Sequence, residues 1–507
     1  MQTSPIVLSV IGAIVIILAG VLGFAVFPNV VEKTIEKELR LLKGSDTWNK
    51  WADIEAPIYL NFYIFNVTNA DEVIESQGLV MPKLQELGPY AYRQRRQKID
   101  PRSECRNPST CKQTVKYEQN VTYFFDQEKS GDLSEDDIVN VVNLPLIAVI
   151  KMAEGLIAGL VPPGSPPGTA DQFLAIIGNL VNTEHLIKKD VRVGDVTFAG
   201  WDVSSFLALK ALESMLPGVI IEFPSEFDGF RFGVYKGRNG TTDGEFEVYS
   251  GTKAASQFGQ IKNWNGSPSL TYWNSSKCNA LTGTDGSIFP PFLEKENPIV
   301  IFNTDLCRTL ELTFKEERTV QDLKAYRFAP SRQLLQGPDQ NPENMCYCLR
   351  ENTTECRSGI IDVSVCRNGA PIILSTPHFL DGFEGFSLAM GLEPSREKHE
   401  TTIDIEHRTG LLLEAHKRIQ VNVEVKRKYV AQFANVTDDG MLFPILWVDE
   451  EAAISEVDVE DFKDRVESPI KTINIVRWVF MAIGIALVLV AIIVFVACRK
   501  SKSKSHV

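Results

Sequence analysis

The sequence opens on an apolar run, IVLSVIGAIVIILAGVLGFAVF at residues 6–27, and ends near a second, WVFMAIGIALVLVAIIVFVAC at residues 478–498. Neither run contains a charged residue. At about 1.5 Å of rise per residue, a helix of either length can cross a hydrocarbon core of about 30 Å. The sequence therefore predicts two transmembrane helices, at residues 6–27 and 476–498, with one large domain between them.

The first apolar run has an alternative interpretation, which is a cleaved signal peptide. It begins almost at the initiator Met, and no basic residue precedes it. It is also longer than the apolar part of a usual signal peptide and lacks a convincing small-residue cleavage site. These features favour an uncleaved signal anchor.

Basic residues at the end of the chain predict its orientation. Arg499, Lys500, Lys502 and Lys504 follow the second run, and such residues stay on the cytosolic side of a membrane. The tail, residues 499–507, is therefore predicted to be cytosolic. Two spans then place residues 1–5 in the cytosol as well, and residues 28–475 form an extracellular or luminal domain.

Three features of the central segment agree with that compartment. Eight of the nine cysteines lie between the spans, which indicates disulfides in an oxidising compartment. The chain has a net charge of −13, and since the tail contributes +4, the remainder carries −17. An acidic domain argues against nucleic acid as a ligand. Seven asparagines between the spans begin N-x-S/T glycosylation sequons: Asn66, Asn120, Asn239, Asn265, Asn274, Asn352 and Asn435.

Strand patterns dominate the central segment. Residues 58–67 are aromatic and β-branched, and residues 227–249 contain two such runs around a hairpin-like turn at residues 237–240. Apolar residues alternate with polar ones over residues 419–425, which predicts a half-buried strand. Five basic neighbours of that strand are interpreted as a solvated face: Lys417, Arg418, Lys426, Arg427 and Lys428.

Helical patterns occur in three regions. Residues 30–42 have helical spacing and continue the first span outward. Residues 135–216 contain apolar helical stretches broken by prolines, and residues 451–467 form an acidic helix candidate before the second span. Strands in series with helices collected in blocks predict an α+β domain.

No catalytic motif is complete. His399-Glu400 resembles the start of a zinc-protease motif, but Ile403 occupies the place of the second histidine. Cys346, Cys348 and their neighbours could imitate a zinc knuckle, but disulfides are favoured outside the cytosol. The chain is therefore predicted to be no enzyme and to hold no metal or cofactor. A hydrolase stays an open alternative, because a triad can assemble from distant residues.

Several short motifs follow one another along the central segment: FNVTN at 65–69, LGPYAYR at 87–93, WNG at 264–266, CNALTGTDGSIFPP at 278–291, CR at 307–308, YRF at 326–328, CRNGAPIILSTPHF at 366–379 and EKHETTIDI at 397–405. Their order and spacing resemble the class B scavenger receptor family. Together with both apolar runs, the resemblance covers nearly the whole chain.

That resemblance implies a fold and a set of disulfides. The fold is a mainly antiparallel β-barrel-like domain with an apical helical bundle, at about residues 135–190, and an internal hydrophobic tunnel. The implied disulfides are Cys278–Cys346, Cys307–Cys366 and Cys348–Cys356, whereas the sequence alone leaves many pairings open. Cys105 and Cys111 lie outside that pattern and are expected to pair with each other.

The resemblance also implies a function, in which the apex captures cargo and the tunnel passes lipid to the membrane. Fatty-acid-transporting members of the family have apical lysines, whereas this chain has Glu184 near that point. A lysosomal member of the family senses pH with an apical histidine. The corresponding stretch here, residues 151–157, contains no histidine. The candidate apical ligand-binding residues are Lys151, Phe173, Leu174, Ile177, His185, Lys188 and Lys189; about half of the apolar ones are expected only to pack a helical bundle.

The tail yields two further hypotheses. Cys498 lies at the cytosolic membrane edge, where palmitoylation is common, although a small residue ending a span explains it equally well. Ser505-His506-Val507 has the S-x-V form that a PDZ domain binds, although such short matches arise by chance. The tail has no dileucine or tyrosine sorting signal, which favours the plasma membrane over the lysosome.

Two hypotheses for the whole chain follow. The first is a cell-surface scavenger-type receptor that binds fatty acids, sterols, phospholipids or lipoproteins and facilitates lipid uptake through a tunnel. The alternative is an endolysosomal membrane glycoprotein that carries a protein cargo such as a hydrolase, or acts in phagocytic recognition.

Overall fold

A computed structural model describes residues 5–77, 79–103, 113–151, 166, 184–204, 229–350, 355–367, 369–426 and 441–504. The chain divides into two compact units. One unit combines both ends of the chain, Met1–Arg40 and Ile454–Val507, and the other is Leu41–Ala453.

Long apolar helices form the terminal unit. The helices are Pro5–Val21, Leu22–Val26 (a π-helical turn), Phe27–Glu38, Glu456–Phe462, Lys463–Glu467 (a second π-helical turn) and Ser468–Lys504. Two stretches, Ser9–Glu38 and Glu456–Ala497, are long and apolar enough to cross a membrane. The acidic helix predicted from residue 451 begins five residues later, because residues 451–453 belong to a strand.

Glycines allow these two helical segments to pack against each other. A Cβ added at Gly12 would lie 3.0 Å from the Gly484 carbonyl oxygen, and one added at Gly484 would lie 3.1 Å from that of Gly12. Small residues permit such close backbone approach in membranes. Further along, Arg477 Nη1 donates to the Gly23 carbonyl oxygen at 3.3 Å. Thus the two candidate spans form a packed helix pair.

The described residues of the central unit contain seventeen strands. In chain order they are β1 Asp53–Val67, β2 Leu84–Ser103, β3 Thr114–Phe125, β4 Ile138–Val142, β5 Ile187–Arg192, β6 Trp201–Asp202, β7 Arg231–Phe232, β8 Thr241–Tyr249, β9 Ile261–Trp264, β10 Ile299–Asn303, β11 Arg308–Val320, β12 Leu323–Pro330, β13 Ile360–Asp362, β14 Ile372–Ser375, β15 Thr402–Glu406, β16 Leu411–Val425 and β17 Met441–Ala453. Its short α-helices include Asp46–Ala52, Ala70–Glu75, Gln127–Ser130, Glu384–Met390 and Arg396–His399.

The large sheet is antiparallel and closes on itself. Its order is β10-β11-β12-β15-β16-β17-β1-β2-β3-β8-β9, with β14 on β16 and β13 on β14. The segment Gly283-Thr284 joins the two end strands. Ile261 N–H of β9 donates to the Gly283 carbonyl at 2.7 Å, and Thr284 N–H donates to the Val300 carbonyl of β10 at 3.0 Å. The predicted α+β class with a mainly antiparallel, barrel-like sheet is confirmed.

One local prediction is wrong. The runs in residues 227–249 do not pair with each other, because β7 pairs with β6 and β8 pairs with β3 and β9. The predicted helical region at about residues 135–190 also contains strands near its two ends, since β4 and β5 pair in a small sheet. Their valines, Val139, Val141 and Val191, are buried there, as β-branched residues in strands commonly are.

Part of the predicted apical helical bundle, between β4 and β5, is described. Residues 144–151 are helical, and Asn143 caps this helix because its Oδ1 accepts from the Leu146 N–H at 3.2 Å. From residue 152 to residue 183 only Pro166 is described. The rest of the predicted apical bundle therefore lies outside the described residues.

Candidate functional site

The barrel encloses a cavity of about 80 Å³. A single water-sized sphere needs about 10–15 Å³ of such space, so the cavity has room for several. Its wall is largely apolar because alternate residues of the paired strands β1, β16 and β17 face inward. Its apolar lining residues are Leu60, Leu144, Phe232, Val234, Tyr235, Val363, Ile372, Leu374, Ile419, Val421 and Val448.

Charged side chains line the rest of the cavity. The Asp305 carboxylate accepts from Arg238 Nη1 at 3.0 Å and from Lys417 Nζ at 2.7 Å. Arg367 Nη2 lies 3.5 Å from the same carboxylate. Since one carboxylate thus faces three cations, this part of the lining is strongly polarised and carries more positive than negative charge.

A second ion pair extends this charged part of the lining. Glu450 of β17 lines the cavity and lies 2.8 Å from Arg96 Nη2 of β2. In the registers of the sheet, Glu450 is opposite both Leu60 of β1 and Lys417 of β16. Neighbouring strands therefore present apolar and charged residues to the same interior.

All these groups remain ionised at neutral pH. Burial alone would raise the pKa of Asp305, but Lys417, Arg238 and Arg367 outweigh burial and hold that pKa well below its usual value. Burial would likewise lower the pKa of Lys417, and the carboxylates of Asp305 and Glu450 outweigh it and raise that pKa. The cavity therefore combines an apolar wall with fixed charges.

Charged side chains keep accessible surface beside the cavity. The side chains of Arg238 and Asp305 are 26% and 22% exposed, and that of Lys417 is 31% exposed. All three residues line the cavity. Accessible charged surface therefore lies next to the apolar wall, as an amphipathic binding site requires.

The basic residues on and beside β16 are predicted to form a solvated face, and for Lys417, Arg418 and Lys426 this is wrong. The Lys426 side chain is only 17% exposed, and its Nζ lies 3.6 Å from Glu424 and 3.8 Å from Glu355. Lys417 points into the barrel and pairs with Asp305. Arg418 is on the opposite face, where its Nε lies 3.0 Å from Asp449 and its side chain is only 12% exposed. Both faces of this strand are covered, and a charge buried under such cover needs a partner. Arg427 and Lys428 lie outside the described residues.

The structure describes four of the seven predicted apical residues. Lys188 Nζ lies 3.2 Å from Glu184, and Lys189 Nζ lies 2.8 Å from Asp71. His185 is exposed, and Lys151 is half-buried at the end of the described helix. Phe173, Leu174 and Ile177 lie outside the described residues. Lys188 and Lys189 of β5 are thus both paired with carboxylates. A role of these lysines in ligand binding remains a prediction.

Five of the predicted sequon asparagines are described: Asn66, Asn120, Asn239, Asn265 and Asn274. Asn274 is exposed, whereas the Asn66 Oδ1 accepts from the Asn140 N–H at 2.9 Å. Asn352 and Asn435 lie outside the described residues. Glycosylation at each position remains a prediction.

Three disulfides link loops in the described part of the central unit. They join Cys278 to Cys346, Cys307 to Cys366 and Cys348 to Cys356, which are the pairs that the resemblance implies. The prediction that cysteines between the spans form disulfides is confirmed. Cys105 and Cys111, which are predicted to pair, lie outside the described residues. The predicted PDZ motif at residues 505–507 also lies outside them. The predicted palmitoylation site, Cys498, lies in the helix Ser468–Lys504.

Sequence reasoning missed the charged end of the cavity. Arg96, Arg238, Asp305 and Lys417 come from four distant parts of the chain, and none belongs to a recognisable motif. The one available signal was Lys417, which interrupts an otherwise apolar inward-facing set that continues with Ile419 and Val421.

Two candidate spans and a disulfide-linked barrel with an amphipathic cavity define a membrane protein with two anchors and one large domain. The chain belongs to the CD36 family, whose model matches residues 10–495. The predicted membership of the class B scavenger receptor family is thereby confirmed.

Three similar proteins show the breadth of the family. Lysosome membrane protein 2 of Mus musculus is 30% identical, and the match covers 94% of this chain and 90% of the mouse protein. Sensory neuron membrane protein 2 of Ostrinia furnacalis is 30% identical with the same coverage. Scavenger receptor class B member 1 of Bos taurus is 27% identical over 94% of this chain and 86% of that receptor. These names are those of membrane proteins and a receptor, which is consistent with a chain that is not an enzyme.

Proposed function

We propose that this protein is a cell-surface receptor that binds lipids or lipoproteins and facilitates lipid uptake through its barrel. The amphipathic cavity is the observation that carries this proposal. A lipid in water pays about 0.8 kcal/mol for each exposed CH₂ group. Apolar residues such as Leu60, Ile419 and Val448 can contact part of an acyl chain or sterol that passes through the barrel, while Arg238 and Lys417 meet its polar end.

The proposed topology follows the same logic. Residues 28–475 lie outside the cytosol, and residues 1–5 and 499–507 lie inside it, because the basic tail favours the cytosolic side. Lipid captured at the apex moves through the barrel toward the membrane without entering water. Transport of this kind needs no chemical step, so no catalytic residue is assigned.

The lipids that accompany the protein test this proposal. We expect mass spectrometry of the full-length protein, purified in mild detergent, to find a defined class of fatty acid, sterol or phospholipid enriched over the bulk membrane. The double variant Lys188→Glu, Lys189→Glu should reduce that class if entry is apical. Lipids that match the bulk membrane in both samples would contradict the proposal.

A second candidate is an endolysosomal receptor for a protein cargo such as a hydrolase, and phagocytic recognition by the same apex is a variant of it. The similarity to lysosome membrane proteins of mouse, rat and human favours it. Residence on lysosomes, together with a hydrolase that co-purifies at neutral pH and dissociates in acid, would support this candidate over the first.

Two tail functions belong to the same proposal. Palmitoylation of Cys498 would add an acyl anchor at the cytosolic edge of the second span. A PDZ partner at Ser505-His506-Val507 would link the receptor to cytosolic scaffolds. Hydroxylamine-sensitive acyl labelling of Cys498, and PDZ capture that is lost when Val507 is removed, test these two functions separately.

A further inference from the structure

The disulfide-linked loops enclose a second cavity of about 50 Å³, which shares no lining residue with the cavity in the barrel. Its walls include the Cys348–Cys356 bridge, the side chains of Tyr347 and Leu334, and the guanidinium-bearing Arg308. A space of this size admits a few water-sized species but no lipid chain.

Arg308 is buried and has no carboxylate partner among the described residues. The residue is only 5% exposed, its guanidinium lies over the Tyr347 ring at 3.6 Å, and its Nη1 donates to the Leu334 carbonyl at 3.4 Å. Its Nε has no hydrogen-bond partner in the described part of the chain. Burial lowers the pKa of Arg308, and Tyr347 opposes that effect only in part. An arginine stays protonated even so, and among the described residues no carboxylate compensates this buried positive charge.

The rest of the lining does not supply the missing negative charge. Besides Arg308, the charged residues around this cavity are Arg350, Arg357, Glu355 and Asp362. Arg350 is paired with Glu424 at 2.9 Å and lies 3.8 Å from Glu355. Arg357 is exposed and lies over an aromatic ring. Arg308 is therefore the buried cation that has no carboxylate partner among the described residues.

An uncompensated buried charge is strongly destabilising, and a buried polar atom without a partner points to an ion or water beside it. We propose that this cavity binds one small monovalent anion of the size of chloride, held by the Arg308 guanidinium. The size of the cavity limits the ligand to a small ion, and the one buried guanidinium without a described carboxylate partner matches a single negative charge.

The position of Arg308 indicates what the anion would do. Its neighbour Cys307 pairs with Cys366, and Tyr347 lies between Cys346 and Cys348 of the other two bridges. The anion would therefore lie beside two residues that are adjacent in the chain to cysteines of all three disulfides. An ion that binds only the folded state raises stability with its concentration.

Thermal unfolding of the full-length protein in detergent tests this site, with chloride exchanged for gluconate at constant ionic strength. We expect the wild-type Tm to rise with chloride by at least about 1 °C and to saturate. Arg308→Met should abolish the chloride-specific rise and keep, in gluconate, a Tm at or above that of the wild type, because it removes the uncompensated charge. The control Arg318→Met, an exposed arginine on β11, should respond to chloride as the wild type does.

Bromide supplies a second measurement that needs no variant. Anomalous diffraction from bromide-soaked crystals of the wild type should show a peak beside the Arg308 guanidinium. The proposal is overturned if the wild-type Tm is the same in chloride and gluconate, if Arg308→Met retains the chloride response, or if bromide is absent from this cavity. An Arg308→Met variant that loses the same Tm in both salts would indicate only stacking on Tyr347.

Discussion

The Lys417 ammonium group lies 2.7 Å from the Asp305 carboxylate, although 112 residues separate the two in the chain. Lys417 belongs to β16, and Asp305 lies in the turn between β10 and β11. Their contact places an ion pair in a barrel whose other inward residues are mostly apolar. This relationship gives the cavity its polarity, and several expectations depend on it.

The first prediction concerns the stability of this ion pair. Lys417→Met should lower the free energy of unfolding by roughly 2–4 kcal/mol, because it leaves a buried carboxylate with fewer partners. Arg238 and Arg367 still face Asp305 and limit the loss. Chemical denaturation of the detergent-solubilised protein measures the change.

A double variant provides the control for that pair. Lys417→Met with Asp305→Asn should cost clearly less than the sum of the two single changes, because residues in contact are energetically coupled. Strict additivity would show that the pair contributes no interaction energy, contrary to the geometry.

The second prediction concerns acid stability and His399. This side chain is buried, and its ring lies 4.1 Å from that of His378. Burial and the neighbouring His378 lower the pKa of His399 to about 4. The pKa of a histidine in the unfolded chain is about 6.5. The unfolded state therefore binds a proton first, and stability present above about pH 6.5 is lost as the pH falls toward 4.

The variant His399→Gln should lose less stability in acid. We expect its Tm to fall less between neutral and acid pH than the Tm of the wild type does. His416 is the matched control. Burial alone would lower the pKa of His416, but Asp449 and Glu414 outweigh burial and raise that pKa to about 9. The contribution of His416 to the folding stability is therefore fully present below about pH 6.5 and is lost only as the pH rises through 9. His416→Gln should therefore lower Tm by nearly the same amount at neutral and acid pH. An equal acid response of His399→Gln and wild type would contradict the assignment.

The third prediction concerns the helix pair of the terminal unit. Gly12→Leu should separate the two helices locally, because its Cβ would lie 2.8 Å from Val488 and 3.0 Å from the Gly484 carbonyl. Overpacking of this kind costs about 1–3 kcal/mol. Backbone hydrogen exchange of the span peptides should become faster. Gly20→Leu is the control, since nothing described lies within 4 Å of its added Cβ; equal exchange in both variants would show that the glycine contact is unimportant.

The gross architecture was predictable from the sequence because its signals are local. Apolar runs predict helices such as Ser468–Lys504 regardless of context, and the alternation at residues 419–425 predicts the end of β16. Whether the polar face of an alternating strand is also buried depends on distant parts of the chain, so the local sequence pattern does not show it. Lys417 and Arg418 were therefore interpreted as solvated, although one faces the cavity and the other an ion pair with Asp449.

Pairing across long distances explains the other differences. The turn at residues 237–240 predicts a hairpin, yet Thr241–Tyr249 pairs with Thr114–Phe125, more than a hundred residues earlier. The site itself depends on such pairing. Asp305 has no signal in its neighbouring residues, and only the closed sheet brings it to Arg238 and Lys417.

The most direct test of the account fills the cavity. Ile419 lines it and is 9% exposed, so Ile419→Trp should occupy the space while leaving the strand paired. We measure binding and membrane transfer of a fluorescent fatty acid and a fluorescent sterol by the full-length protein, with Ile99→Trp, an exposed position on β2, as the control. The account predicts at least about a tenfold loss, roughly 1.4 kcal/mol, for at least one lipid in Ile419→Trp and none in Ile99→Trp. Unchanged binding and transfer of both lipids in a folded Ile419→Trp protein would contradict the claim that the barrel carries lipid.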